Sequence, residues 1–307
     1  MIGRGVVLAV LVAGLSLAVL WTAGEAQAAG SAVETRHLLV SDATGKLPDA
    51  QLKALAEQAQ ATLERMLELW GCEAQTESLG KILLIYDEPL RGHCTSICSV
   101  GGRQAVRSVR VFGCAEAPLM VAHKLTNALM PQPDKLLRNM MGAISEQRVG
   151  NPASFPACGQ DVDDWVRSFV RSGTLLPLSQ LGPDHESWGM RDAGGGRLMA
   201  FDRYRQQRAY AETGSFAGYL AAAYGLEGLK RLTRLSRMQA RPWRAALGAD
   251  LAELEARWLE SLKAGGAGRE EQAGRLVRVM NAGAGDPYAR ARRVAEEGSA
   301  PTPPPAP

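Results

Sequence analysis

The chain has 307 residues, 46% of them apolar and 22% charged, with a formal net charge of +3. That length is ample for a buried core in one large domain or two small ones. The charge is too small for an electrostatic footprint on nucleic acid, and no Lys/Arg run with interleaved aromatics occurs, so nucleic acid is excluded as a partner.

Arg4 precedes an uncharged, mostly apolar run from Gly5 to Gly24, followed by Glu25-Ala26-Gln27-Ala28-Ala29. One positive charge, an apolar core and small residues in an A-x-A arrangement (Ala26, Ala28) describe a secretory signal peptide over residues 1–28. The run also reaches the length of an uncleaved N-terminal membrane anchor. Either way the remainder is expected outside the cytoplasm, secreted or periplasmic, touching a membrane only through this segment. In such a compartment disulfides are the default for Cys72, Cys94, Cys98, Cys114 and Cys158, and the odd count leaves at least one thiol over. The alternative, a zinc cluster of His93, Cys94, Cys98 and Cys114, lacks the paired C-x₂-C spacing of structural zinc sites.

After a short strand at His37 to Val40, Asp49 is placed to cap a helix running to about Trp70. Its Leu52, Leu55, Ala59, Leu63, Met66 and Trp70 recur at three- and four-residue steps, which gives one buried face. Lys81-Ile82-Leu83-Leu84-Ile85-Tyr86 reads as a buried strand, and Ser108-Val109-Arg110-Val111-Phe112 alternates like a half-exposed edge strand. A helix from about Ala117 to Met130 follows. It is apolar (Leu119, Met120, Ala122, Leu125, Ala128, Leu129) and carries a single histidine, His123, which on those residues alone reads as a core or cleft histidine. Pro131 and Pro133 end it.

Beyond this point the chain reads as almost entirely helical. Asp134 opens a helix to about Val149, and Asp161 opens another to Val170. Asp161, Asp163 and Asp164 are read as favourable charges at a helix N-terminus rather than as a metal cluster. Residues 183–197 are a loop, and helices cover Asp202 to Tyr224, Leu226 to Met238, Asp250 to Lys263 and Arg269 to Asn281. The expected organisation is one domain over residues 35–265, a helical extension over 266–295, and a Pro-rich disordered tail over 296–307. The fold class is α+β: helix-dominated, with a small sheet.

The order of these features resembles the gluzincin metallopeptidases, specifically the short extracytoplasmic peptidase MA-like domains, from about Lys81 to Leu262. There an edge strand runs into a helix with the pattern H-E-x-x-H, whose two His hold zinc and whose Glu activates a zinc-bound water. Here the helix reads His123-Lys124-Leu125-Thr126-Asn127. A second family helix carries a Glu-Gly-x-Ala motif whose Glu is the third ligand, and here Asn139-Met140-Met141-Gly142-Ala143 stands in that place, with Met141 at the Glu position. Arg171 to Leu181, Ala209 to Gly225 and Ala245 to Leu262 resemble the family's downstream elements, and Tyr210 falls where the family places a residue beside its cleft.

The departures decide what the resemblance implies. Of the ligand positions only His123 keeps a good zinc donor. Asn127 offers a neutral amide, Met141 a thioether suited to softer metals, and Lys124 puts a cation where the base should be. The implied function is an exported, catalytically silent pseudo-peptidase without catalytic residues or cofactor, binding an unidentified peptide or envelope protein. The alternative is an active zinc metallopeptidase with rearranged ligands, His123 and Glu146, with eighteen residues between Asn127 and Glu146. His37, His93 and His185 sit in separate segments and form no evident constellation.

Overall fold

A computed structural model describes residues 32–72, 80–87, 96–101, 106–112, 120–192, 198–264 and 266–281. The signal or anchor segment, His93, Cys94, Cys114 and the Pro-rich tail lie outside these residues, as does the side chain of Cys98. The described residues form an α+β fold in which helices dominate and strands make a small sheet.

Strands β1 (Ala32–Glu34), β2 (Leu38–Asp42), β3 (Ile82–Asp87), β4 (Ser96–Gly101) and β5 (Val106–Phe112) form one sheet in the order β1-β2-β3-β5-β4. β2, β3 and β5 are parallel, and β1 and β4 pair antiparallel at the two edges. The alternation expected for β5 is present, with Val109 and Val111 fully buried and Arg110 half-exposed on Asp87 at 2.7 Å. Its expected place at the edge is not. β5 is bonded on both sides, to β3 and to β4. Alternation reports which face is buried and says nothing of how many neighbours a strand has.

Helix α1 (Asp49–Trp70) crosses from β2 to β3 and buries Leu52, Ala56, Ala59, Leu63, Met66 and Trp70. Its cap is Pro48, with no side-chain hydrogen bond, so Asp49 serves in the first turn and not as the N-cap. A carboxylate there still favours the helix dipole. Gly71, in the left-handed region at φ 62°, ends the helix.

The second half is built from α2 (Val121–Leu129), α3 (Lys135–Val149), α4 (Val162–Arg171), α5 (Arg203–Leu235), α6 (Trp243–Leu247), α7 (Leu251–Lys263) and α8 (Gly266–Asn281). Asp134 and Asp161 cap α3 and α4 with their side chains, and Asp250 and Glu253 form a capping box on α7. Gly225, at φ 68° and ψ 172°, breaks α5 into the two helices expected on either side of it. A short hairpin, β6 (Met190–Asp192) with β7 (Leu198–Ala200), stands in place of the expected plain loop. α2 packs against α1, α3, β4 and β5, and α3 in turn packs on α5. His123 therefore sits where sheet and helices meet.

Candidate functional site

α2 is nine residues long and begins without help of its own. Its N-cap is Met120, which has no side-chain acceptor, and no acid lies in its first turn. Glu146, near the end of α3, supplies both. Its Oε2 accepts the backbone N–H of His123 at 2.9 Å, and its Oε1 accepts from Asn151 N–H (3.1 Å) and Ser154 Oγ–H (2.8 Å). Burial raises the Glu146 carboxyl above its ordinary value, against these three hydrogen bonds and the nearby Lys124. Glu146 thus meets His123 through the main chain, in the role of a helix cap.

The imidazole lies flat against α3. A Cβ built on Gly142 would come within 2.6 Å of the ring, so only glycine allows this approach. Nε2 lies 3.2 Å from Asn139 Oδ1. With the amide oxygen as acceptor, Nε2 carries the proton and Nδ1 presents a lone pair. That Nδ1, Asn139 Nδ2 and Asn127 Oδ1 are buried without a hydrogen-bond partner among the described residues. Burial and then the charge of Lys124 hold the imidazole well below its ordinary value. The Asn139 hydrogen bond opposes them and Arg138 adds to them. His123 is a neutral base in the interior.

The α3 residues that face α2 here are Asn139, Gly142 and Glu146, spaced three and four apart on one side of the helix. Met141 lies on the adjoining side, in the main apolar core, beside the turn where Ser145 Oγ accepts from Trp70 Nε1 at 2.7 Å and lies 2.6 Å from Thr126 Oγ1. Sequence spacing nominates Met141 as the counterpart of the third ligand, but the side chain brought to the imidazole is Asn139. Lys124 and Asn127 are both buried. Tyr210, from α5, closes the site as a wall: its ring centroid is 6.1 Å from that of His123, 5.1 Å from Phe155 and 5.3 Å from Trp188. Burial pushes its hydroxyl up to about 12.

One grouping escaped the sequence. His185 does join a constellation, since its Nδ1 lies 2.9 Å from Lys135 Nζ at the start of α3. The amine also donates to Asp184 O at 3.2 Å and lies 5.1 Å from the Trp188 ring centre. Burial, then the charges of Arg138 and Lys124, bring Lys135 down to about 7 against the pull of Asp184. The two residues are 50 apart in sequence, and no local pattern announces the pairing.

Among the described residues no three His, Cys, Asp or Glu side chains come together as a metal site. Cys72 is a free thiol at the end of α1, and Cys158 is buried elsewhere, unbonded to it. A groove of about 560 Å³ opens between α1 and the α2–α3 junction, lined among others by Thr62, Arg65, Glu146 and Asn151 but not by His123. No family model, no curated protein and no solved structure matches the chain.

Proposed function

We propose that this chain is a gluzincin-like pseudo-peptidase of the peptidase MA type, exported and metal-free, whose remnant cleft binds a peptide or an envelope protein. One observation carries the reading: where such a site needs three zinc ligands and a base, His123 stands alone. Its Nε2 is engaged by Asn139, its neighbours Lys124 and Arg138 are cations, and the carboxylate of Glu146 is held by three hydrogen-bond donors. A lone imidazole among positive charges binds Zn²⁺ weakly. The course of the chain supports the family reading, since β5 leads toward the histidine helix and α3 then crosses beneath it.

Metal analysis of the protein as purified tests the proposal. Far less than one equivalent of zinc is expected. Stoichiometric zinc that disappears in His123→Ala would establish an active-type centre and end the pseudo-peptidase reading. The complementary variant combines Lys124→Glu, Asn127→His and Asn139→Glu, which places two ligands and a base around His123 and is expected to gain zinc. The same triple change with Met141→Glu in place of Asn139→Glu is expected to gain none. Export is tested separately by N-terminal sequencing from the native host, with Ala29 expected as the first residue.

A further inference from the structure

The groove between α1 and the α2–α3 junction is not lined by His123 and has a chemistry of its own. Leu55, Ala59, Val121, Val149 and Pro152 give it apolar walls, and its volume of about 560 Å³ falls in the range of small-molecule sites. Tyr86, the penultimate residue of β3, also lines it. Crevices at the C-terminal ends of parallel strands are where open α/β sheets receive ligands. Tyr86 is 6% exposed, and its hydroxyl makes no hydrogen bond among the described residues. Burial alone raises that hydroxyl above its ordinary value. A buried hydroxyl facing a groove without a partner is costly until something in the groove accepts its proton.

The start of α2 opens on the same groove through Val121 and Ala122. Of the N–H groups that a helix leaves unpaired in its first turn, Glu146 takes only that of His123. Those of Val121 and Ala122 have no acceptor among the described residues, and Ala122 is fully buried. Arg65 adds a cation. Its Nη2 donates to Val149 O at 3.2 Å, which holds the guanidinium against the end of α3, and it forms no ion pair among the described residues. The acceptors on these walls are already engaged. Glu146 has three donors, Val149 O has Arg65, and Asn151 Oδ1 accepts the Ala153 N–H at 2.9 Å. The groove thus offers donors and one unpaired positive charge beside apolar walls. A neutral acceptor suits the α2 end, where Glu146 already brings a carboxyl group, and an anion suits Arg65. A phosphate monoester would set nearly two charges against one guanidinium. We propose that the groove binds a small apolar carboxylic acid bearing an acyl carbonyl, of the class of N-acylated amino acids. The carboxylate meets Arg65, and the carbonyl meets the Tyr86 hydroxyl and the first amides of α2. This site is separate from the imidazole and does not depend on what His123 holds.

Full-length protein is titrated into the millimolar range with acetyl-leucine, with acetyl-leucinamide, and with inorganic phosphate, while the backbone amide signals of Val121 and Ala122 are followed by NMR. Acetyl-leucine is expected to move both amide protons downfield along a saturable curve. Loss of the charge, in acetyl-leucinamide or in Arg65→Gln, is expected to weaken binding about tenfold or more. Tyr86→Phe removes a hydroxyl that is unpaired in the free protein. Its denaturation midpoint without ligand is therefore expected to hold or rise while its affinity for acetyl-leucine falls, the reverse of what a structural hydroxyl would show. If Tyr86→Phe does not fold, the exposed Arg65 and the comparison of acid with amide decide. Equal binding of acid and amide, tighter binding of phosphate than of acetyl-leucine, full affinity in Arg65→Gln, or no saturable movement of the two amides would each overturn the proposal. Zinc in the purified protein bears on the pseudo-peptidase reading alone, so the two fail by different measurements.

Discussion

At the scale of single residues the site is governed by contact distances. Gly142→Ala inserts a methyl group 2.6 Å from a ring that is buried on all sides. Overpacking of this kind costs about 1–3 kcal/mol, against a gain of about 1 kcal/mol in helix propensity. A net loss near 1 kcal/mol is expected in urea denaturation. Gly218→Ala, within α5 and with its nearest neighbour atom at 3.7 Å, meets no such clash and is expected to stabilise by up to about 1 kcal/mol. Opposite signs for the two changes check the placement of His123. Lys135 makes a prediction about pH. Its amine is lowered to about 7 in the folded chain from an ordinary 10.5, so between those values the unfolded chain binds more protons. Stability from this group therefore rises as pH rises above about 7. Denaturation midpoints at neutral and mildly alkaline pH are expected to show that rise in the wild type and to lose it in Lys135→Met. The burial of His123 was legible from the apolar helix around it. Its partner was not, because the crossing of α2 over α3 chooses Asn139 over Met141, and that choice depends on helix rotation as well as on spacing.

At the scale of elements, periodicity located most helices, and the aspartates at their expected starts, Asp134, Asp161 and Asp250, prove to be the N-caps; these signals are local. Gly225 was legible as a break for the same reason. What failed were statements about neighbours: β5 is interior, β6 and β7 are too short to alternate, and Pro48 displaces Asp49 from the cap. The interior place of β5 also makes β4 the edge strand on that side among the described residues, so β5 offers no edge for a further strand along Ser108 to Phe112. Glu146 is the element-scale test. Glu146→Ala leaves the N–H groups of His123 and Asn151 and the Ser154 hydroxyl without their acceptor. Buried donors left unpaired cost about 1–3 kcal/mol each, so a loss of about 3 kcal/mol or more is expected by chemical denaturation. Glu146→Gln, which keeps one amide oxygen, is expected to lose less. A small effect of Glu146→Ala would mean that α2 does not depend on this carboxylate.

Over the whole molecule, the α+β class followed from the sequence because the strands of the main sheet all precede residue 113 and most of the helices follow it. The helix that follows residue 265 packs onto the rest of the fold. α8 lies against α4, with Ala273 and Leu276 fully buried and Leu276 in one cluster with Trp165 and Phe169. Arg269 reaches Asp161 at 3.0 Å and Asp164 at 2.9 Å. Helical periodicity gave α8 its existence but named no surface to receive it. Leu276→Ala is expected to destabilise the entire fold by about 2–5 kcal/mol, in a single cooperative transition. A separate early transition, leaving the rest of the protein unchanged, would show α8 to unfold independently.

The cap that Glu146 lends to α2 also bears on which parts of the protein open together. Isolated helices shorter than about 12–15 residues are marginal in water, and α2 has nine residues with no acceptor of its own at its start. Its protection against hydrogen exchange is therefore inherited from α3. The amide of His123 is released only when the end of α3 moves away, and the same event frees the amide of Asn151. These two amides, on opposite sides of α3 in the sequence, are expected to exchange with one shared opening free energy, as members of a single cooperative unit.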